Sequence, residues 1–165
     1  MQQNTAIYQS PIGPLTIFSD GEFITRIYTE QVEYFSPFSV DEAISSGIAW
    51  LDQYFAGKNP DINSLSLKAA GTPFQQDVWN RLRSIPYGCT VTYGQLAAQI
   101  AADRGVARMS AQAVGQAVGA NPISIIIPCH RVIGANGNLV GYAGGLDKKI
   151  KLLNLESEYS KQLMR

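Results

Sequence analysis

Residues 125–132 read Ile-Ile-Ile-Pro-Cys-His-Arg-Val, and the rest of the chain can be arranged around this stretch. The three isoleucines predict a short buried strand that Pro128 ends, because β-branched residues favour strands and proline has no N–H for a sheet. A thiol, an imidazole and a guanidinium follow, in a chain with one histidine and two cysteines. Cys129 is therefore a candidate nucleophile, since neighbouring groups can lower a thiol's pKa. The alternative is a buried, inert structural thiol.

Length and composition indicate a globular protein of one or two domains. The chain has 165 residues, of which 45% are hydrophobic,. We expect no membrane span, since no apolar run approaches about 20 residues, and no signal peptide at Met1–Asn4. Cys89 and Cys129 form no disulfide framework, so we expect a cytoplasmic location, with Cys89 as a structural thiol. One histidine and two distant cysteines predict no metal site.

Residues 1–70 are predicted to form a small antiparallel sheet plus one helix. Alternating apolar residues indicate strands at Thr5–Gln9, Leu15–Ser19 and Phe23–Thr29, with a hairpin turn at Asp20-Gly21. Residues 31–39 are predicted to be a loop. A helix is expected over Val40–Ala56, capped by Ser39 or Asp41, because apolar residues recur at positions 44, 48, 51 and 55. A polar connection over 58–71, where Leu65 and Leu67 can add a short strand, contains the expected domain boundary.

Residues 71–165 are predicted to be mainly helical, so that the whole chain is of the α+β class. Thr72 and Thr92, each three residues before a glutamine, predict capping boxes that start two helices. The second of these helices, to Ala101, and a helix over Ala111–Val118 form a predicted helix-turn-helix. The small residues of the latter suit either close packing or a surface that approaches a DNA groove.

The C-terminal part also has the charge expected of a domain that binds a polyanion. Residues 71–165 contain ten Lys/Arg and five Asp/Glu, whereas residues 1–70 contain three and eight,. A last helix is expected over Asp147–Glu158, with Ile150, Leu153 and Leu146 facing inward. Before it, residues 141–145 form a small-residue loop that can wall a pocket.

Six features occur in the order seen in O6-alkylguanine-DNA alkyltransferases. They are Thr92–Ala97, Ala113-Val114-Gly115, Asn121-Pro122, Ile127–Val132, Gly141–Gly145 and Glu156. The chain resembles this family over about residues 72–158, and its N-terminal part also fits. The resemblance implies a ribonuclease-H-like α/β domain at 1–70 and a DNA-binding, alkyl-transfer domain at 71–165.

The resemblance also implies the activity. Members repair DNA by moving the alkyl group of O6-alkylguanine, and less efficiently of O4-alkylthymine, to their own cysteine in one irreversible turnover. They use no cofactor. They bind double-stranded DNA through the minor groove with a helix-turn-helix, as monomers, and flip the damaged base into the protein.

The family's catalytic roles carry over to four residues. Cys129 would be the nucleophile, and His130 would accept its proton through a bridging water. Glu156 would orient His130, a nucleophile–base–orienter arrangement. Tyr93 would protonate the departing guanine; the alternative for Tyr93 is a core aromatic at a helix start.

Further residues would hold the base and the DNA. The base pocket would comprise Val132, Tyr142, Ala143, Gly144 and Asn121, with the carbonyls of Cys129 and Val132 accepting from the guanine amine. The candidate DNA-binding residues are Gln112, Ala111, Ala113, Gly115, Arg108 and Arg131. Gln112 replaces an arginine found in well-known members, and Arg131 is open to a structural or a phosphate-side role.

Three other functions compete with this interpretation. A non-catalytic alkyltransferase-like lesion-binding protein would lack the reactive cysteine, which is present here as Cys129. A Cys-His hydrolase usually has its base far from the nucleophile in sequence. A simple helix-turn-helix DNA-binding protein would not need Glu156 or the pocket wall at 141–145.

Overall fold

The computed structural model describes residues 3–30, 32, 39–142 and 144–163, with side chains as far as residue 159. Most of the predicted loop at 31–39, and Ala143, lie outside the described residues. Two compact units are present: residues 1–70 with 122–126, and residues 71–121 with 127–165. Residues 122–126 group with the first unit because Ile27 donates its N–H to the Pro122 carbonyl and bridges to Ile123.

The first unit contains the predicted antiparallel sheet and helix. Strands β1 (Asn4–Ser10), β2 (Gly13–Ser19) and β3 (Ile24–Tyr28) pair in that order. Helix α1 (Glu42–Phe55) is capped by Asp41, whose side chain accepts from the Ile44 N–H, and it contacts all three strands. A Cβ at Gly47 would lie 2.7 Å from Ile24 Cδ1, so glycine permits this close packing.

The second unit begins with a cluster of three helices. These are α2 (Pro73–Leu82), α3 (Tyr93–Arg104) and α4 (Ala111–Gly119). Both predicted capping boxes are confirmed, at Thr72 and Thr92. Helix α3 extends three residues beyond the predicted end and stops at Gly105, which has φ 68°,. The Trp79 indole donates to the Ala117 carbonyl at 2.8 Å and ties α2 to α4.

The predicted strand before Cys129 is wrong. Residues 125–127 are buried but form turns, and Ile125 has φ +72°. Their backbone groups bond locally: the Ile126 N–H donates to Ser124, and the Cys129 N–H donates to Ile127. The strand instead follows the cysteine, because β5 (Val132–Ile133) pairs in parallel with β4 (Val91–Thr92). Burial, and not sheet pairing, therefore accounts for the three isoleucines.

The final helix, α5 (Leu146–Leu163), is longer than predicted and is rotated from the expected orientation. Leu146 is 42% exposed, and Ile150 and Leu153 are only half-buried. The buried positions are Lys149, Leu152 and Glu156. This prediction was wrong because apolar periodicity cannot identify a buried face that carries two charges. No helix among the described residues is long and apolar enough to cross a membrane.

Candidate active site

Cys129 lies at the first position of a 3₁₀ turn, Cys129–Arg131, that joins the buried turns to β5. The Arg131 N–H donates to the Pro128 carbonyl at 3.1 Å, and the Val132 N–H donates to the Cys129 carbonyl. All three side chains of the turn are buried. In a 3₁₀ turn, consecutive side chains point in different directions around the turn. In an extended strand they would alternate between two opposite faces.

A cavity of about 280 Å³ opens beside Cys129. Its lining residues are Tyr93, Gly115, Val118, Gly119, Asn121, Cys129, Gly141 and Tyr142. Cys129 is 8% exposed, so part of this residue remains accessible to solvent. The cavity thus brings together the predicted nucleophile, the predicted acid Tyr93 and two predicted base-pocket residues, Asn121 and Tyr142.

The thiol has opposing influences on its ionisation. Burial dominates and raises the pKa of Cys129, although a hydrogen bond from the Asn121 side chain and the charge of Lys149 oppose this rise. Asn121 Nδ2 also donates to the Ile127 carbonyl at 2.8 Å. Asn121 therefore holds the turn before the cysteine and interacts with the sulfur as well.

Behind the cavity, His130 and Glu156 form a buried pair. His130 Nε2 lies 2.5 Å from Glu156 Oε2, and the two side chains are 0% and 1% exposed. Burial opposes the charge of Glu156, but His130 and Arg131 outweigh it and lower the pKa of this carboxyl to about 2. Burial lowers the pKa of His130 despite the opposing effect of Glu156. The pair therefore consists of a carboxylate and a neutral imidazole at neutral pH.

Tyr93 is the first residue of α3, directly after the capping residue Thr92. A Cβ at Gly115 would lie 3.6 Å from the Tyr93 ring, so the glycine on α4 leaves room beside the phenol. Burial raises the pKa of Tyr93, and a negative charge on Cys129 raises it further. The hydroxyl consequently stays protonated when the thiolate forms, as a proton donor requires.

Lys149 is a site residue that sequence reasoning missed. Its fully buried ammonium donates to the carbonyls of Val132, Val140 and Gly141 at 2.7, 2.9 and 3.3 Å. It therefore joins β5 to the loop that carries Tyr142. The sequence did contain a signal for it. If Glu156 faces inward, the residue seven positions earlier lies on the same face of the helix, and that residue is Lys149.

The predicted pocket wall is only partly brought to the cavity. Tyr142 lines it, Gly144 is half-buried without lining it, and Ala143 is not described. The Val132 carbonyl already accepts from Lys149, and the Cys129 carbonyl already accepts from the Val132 N–H. Each oxygen has a second lone pair, so a further donor can still bind.

The candidate DNA-binding residues differ in their exposure. Ala111 and Gln112 on α4 and Arg108 before it are exposed, whereas Ala113 and Gly115 are half-buried. Arg131 is 8% exposed and donates to Glu156 and the Ile85 carbonyl. This placement favours its structural role over contact with phosphate. Cys89 is exposed, which contradicts its prediction as a structural thiol.

A buried cysteine on a cavity, in a unit where α3 and α4 pack against each other, is the arrangement expected of a DNA-binding protein with thiol chemistry. Residues 73–158 match the family model "6-O-methylguanine DNA methyltransferase, DNA binding domain". Residues 5–69 match "6-O-methylguanine DNA methyltransferase, ribonuclease-like domain". The chain belongs to the 6-O-methylguanine DNA methyltransferase family.

Individual relatives agree with this assignment. The methylated-DNA--protein-cysteine methyltransferase of Mycobacterium leprae is 45% identical over 152 residues, covering 89% of this chain and 88% of that protein. The Haemophilus influenzae protein of the same name is 45% identical, with coverages of 90% and 83%. The crystal structure of Mycobacterium tuberculosis OGT in complex with DNA matches with a TM-score of 0.79 and 43% identity, covering 96% and 94% of the two chains.

Proposed function

We propose that this protein is a DNA-repair enzyme that transfers the alkyl group of O6-alkylguanine, and less efficiently of O4-alkylthymine, to Cys129. The observation that carries the proposal is the Cys129 thiol on a cavity of about 280 Å³ that Tyr93 and Tyr142 also line. Alkylation consumes the thiol, so the transfer is stoichiometric and requires no cofactor. The names of the relatives and the OGT–DNA complex support alkylated DNA as the substrate.

The reaction is a displacement at the alkyl carbon. The Cys129 thiolate forms a new S–C bond to the alkyl carbon while the bond between that carbon and guanine O6 breaks, and the bonding pair leaves with the base on O6. His130 takes the thiol proton through a bridging water, and Tyr93 donates a proton to the departing guanine. Because His130 Nε2 faces Glu156, Nδ1 is the acceptor of the neutral ring,. Glu156 holds this tautomer, which is the orienting role.

DNA binds along α4 in this proposal, with the minor groove facing the helix. Ala111 and Gln112 are exposed, and the small residues Ala113 and Gly115 allow close approach of the backbone. Arg108 adds attraction for phosphate. The damaged nucleotide is flipped into the cavity, as chemistry on a stacked base requires, and Gln112 can hydrogen-bond the base left behind. We expect the protein to act as a monomer. Its two cysteines are free, as expected for a protein of the reducing cytoplasm, which is its predicted location,.

Intact-mass measurement tests the activity directly. The protein is mixed with duplex DNA containing O6-methylguanine, and a gain of one methyl group per molecule is expected. Cys129→Ala should gain none, whereas the matched variant of the other cysteine, Cys89→Ser, should react like the wild type. Repeated turnover, or tight lesion binding without any mass gain in the wild type, would contradict the proposal.

A further inference from the structure

Arg131 is enclosed by groups of the second unit, although it lies beside the proposed nucleophile and base. Its side chain is 9% exposed. Nε donates to Glu156 Oε1 at 2.8 Å, and Nη1 donates to the Ile85 carbonyl at 2.8 Å. The guanidinium carbon also lies 5.7 Å from the centre of the Tyr87 ring. A planar guanidinium held from three directions has little freedom to rotate.

These contacts fix the orientation of the Glu156 carboxylate. Oε1 accepts from both Arg131 Nε and the Gly88 N–H, the latter at 3.0 Å. Oε2 is thereby directed at His130 Nε2, 2.5 Å away. A carboxylate held at one oxygen by two donors presents the other oxygen in a single direction, whereas one held only by the histidine could rotate about its terminal bond.

Arg131 also balances the charge of a carboxylate that is removed from bulk solvent. Glu156 is 1% exposed, and a buried carboxylate without a cation is strongly unfavourable,. Without the guanidinium, the nearest group able to neutralise Glu156 is His130 itself, by taking a proton. An imidazolium cannot accept a second proton from the Cys129 thiol, so the base would be lost at neutral pH.

We propose that Arg131 is a positioning residue for alkyl transfer: it aims Glu156 at His130 and supplies the positive charge that lets His130 enter the reaction as a neutral base. This inference rests on the proposed function of Cys129 and His130. In this role the guanidinium acts inside the protein on Glu156 and His130, and not on a DNA phosphate.

Other charged groups also act on His130 and must stay constant in a test. Glu156 and Lys149 act on His130 from α5, and Arg131 acts on it from the same 3₁₀ turn. The negative charge of Glu156 favours the protonated imidazolium, whereas the positive charges of Lys149 and Arg131 disfavour it. Cys129 precedes it in the chain, and the charge of Lys149 lowers the thiol's pKa as well. Removing Arg131 alone should therefore increase the proton affinity of His130, because Glu156 then acts unopposed by its nearest cation.

The single histidine of the chain makes this measurable. The ring protons of His130 are followed by NMR against pH in wild type, Arg131→Met and Arg131→Lys, alongside single-turnover alkyl transfer at the same pH values. We expect the His130 midpoint to rise by at least about one pH unit in Arg131→Met and by less in Arg131→Lys, which keeps a charge. On the acid limb, transfer should slow about tenfold for each unit of that rise.

The matched control is Arg81→Lys, the same substitution at a partly exposed ion pair with Asp103, 3.4 Å apart. It should keep the wild-type His130 midpoint and pH profile. If Arg131→Met does not fold, as judged by circular dichroism, Arg131→Lys decides the question. A uniform loss of rate at every pH, with His130 titrating as in wild type, would indicate a purely structural arginine and overturn the inference.

The same data separate this inference from the proposed function. If wild-type protein gains no methyl group, the proposed function fails, whereas the His130 titration still tests the charge balance. If wild-type protein is methylated on Cys129 and both Arg131 variants retain its pH profile, only the role assigned to Arg131 fails.

Discussion

Helices α1 and α5 each bury one face, but the two faces have different chemistry. The buried residues of α1 are Ile44, Gly47, Trp50, Leu51 and Tyr54, and the helix contacts the three-stranded sheet. The buried face of α5 contains Lys149 and Glu156 on either side of Leu152. The first face removes apolar surface from water, whereas the second places two opposite charges inside the protein.

Buried charges are tolerated only with partners, and both charges of α5 have them. Lys149 donates to three carbonyls, and Glu156 accepts from His130, Arg131 and Gly88. These partners belong to the 3₁₀ turn, to β5 and to the loops around the cavity. We infer that α1 mainly stabilises its unit, and that α5 mainly positions the chemistry of the other. Substitutions on the two helices should therefore have different signatures.

Glu156→Leu should have the largest effect. It leaves Arg131, the Gly88 N–H and His130 without the carboxylate that they contact, so we expect transfer to fall roughly 100-fold or more,. Removing one partner of a buried ion pair should also reduce the free energy of unfolding by about 3–5 kcal/mol. Single-turnover kinetics and urea denaturation measure both. Glu158→Leu, at an exposed position of the same helix, is the control, and equal losses in the two variants would refute the assignment.

Two fully buried leucines provide a matched pair across the comparison: Leu51 on α1 and Leu152 on α5, each 0% exposed. Leu51→Ala and Leu152→Ala should each lower the free energy of unfolding by about 2–5 kcal/mol, because each leaves a cavity. Only Leu152→Ala should also slow transfer by the folded protein, since Leu152 lies between Lys149 and Glu156 on the buried face. A rate loss confined to Leu51→Ala would reverse the roles that we assign to the helices.

Low pH should reduce the stability that Glu156 on α5 contributes to the folded protein. Its pKa of about 2 is below the ordinary 4.5, so its contribution is complete above pH 4.5 and disappears as the pH falls towards 2,. The difference corresponds to roughly 3 kcal/mol. Denaturation at pH 7, 4.5 and 3 should show this loss in wild type, and Glu156→Gln should reduce it. An identical pH dependence in both proteins would count against an ionised Glu156 in the folded state.

Lys149→Met keeps the length of the side chain and removes its three hydrogen bonds. The loop at 140–142 should loosen, and we expect a loss of about 2 kcal/mol in unfolding free energy, since bonds to a charged donor are partly offset by its desolvation. Hydrogen exchange at Gly145, whose N–H donates to the Tyr142 carbonyl at 2.9 Å, should accelerate, and transfer should slow. Lys151→Met, two residues later and exposed, should change neither quantity. Unaltered exchange in Lys149→Met would show that the ammonium does not hold the loop.

The same contrast explains which features were predictable from the sequence. The strands, α1 and the two capping boxes were predicted because their signals are local: alternation, an apolar face, and Thr and Gln three residues apart. The turns at 125–127 and the rotation of α5 were not. Isoleucines prefer buried strands in general, and nothing local shows that the backbone groups of Ile126 and Ile127 bond instead to Ser124, Cys129 and the Asn121 side chain. Lys149 resembles a surface lysine until its three carbonyl partners are known.

The smallest expected effect tests whether a local signal also serves the site. Thr72 and Thr92 form identical capping boxes, but only Thr92 is followed by a residue that lines the cavity, Tyr93. Thr72→Ala and Thr92→Ala should each cost about 1 kcal/mol in unfolding free energy, the usual value of a lost cap. Only Thr92→Ala should also slow transfer, by a few-fold, because the first turn of α3 sets the position of the phenol. Equal rates in the two variants would mean that the remaining contacts of α3 suffice to hold Tyr93, and that the cap contributes to stability alone.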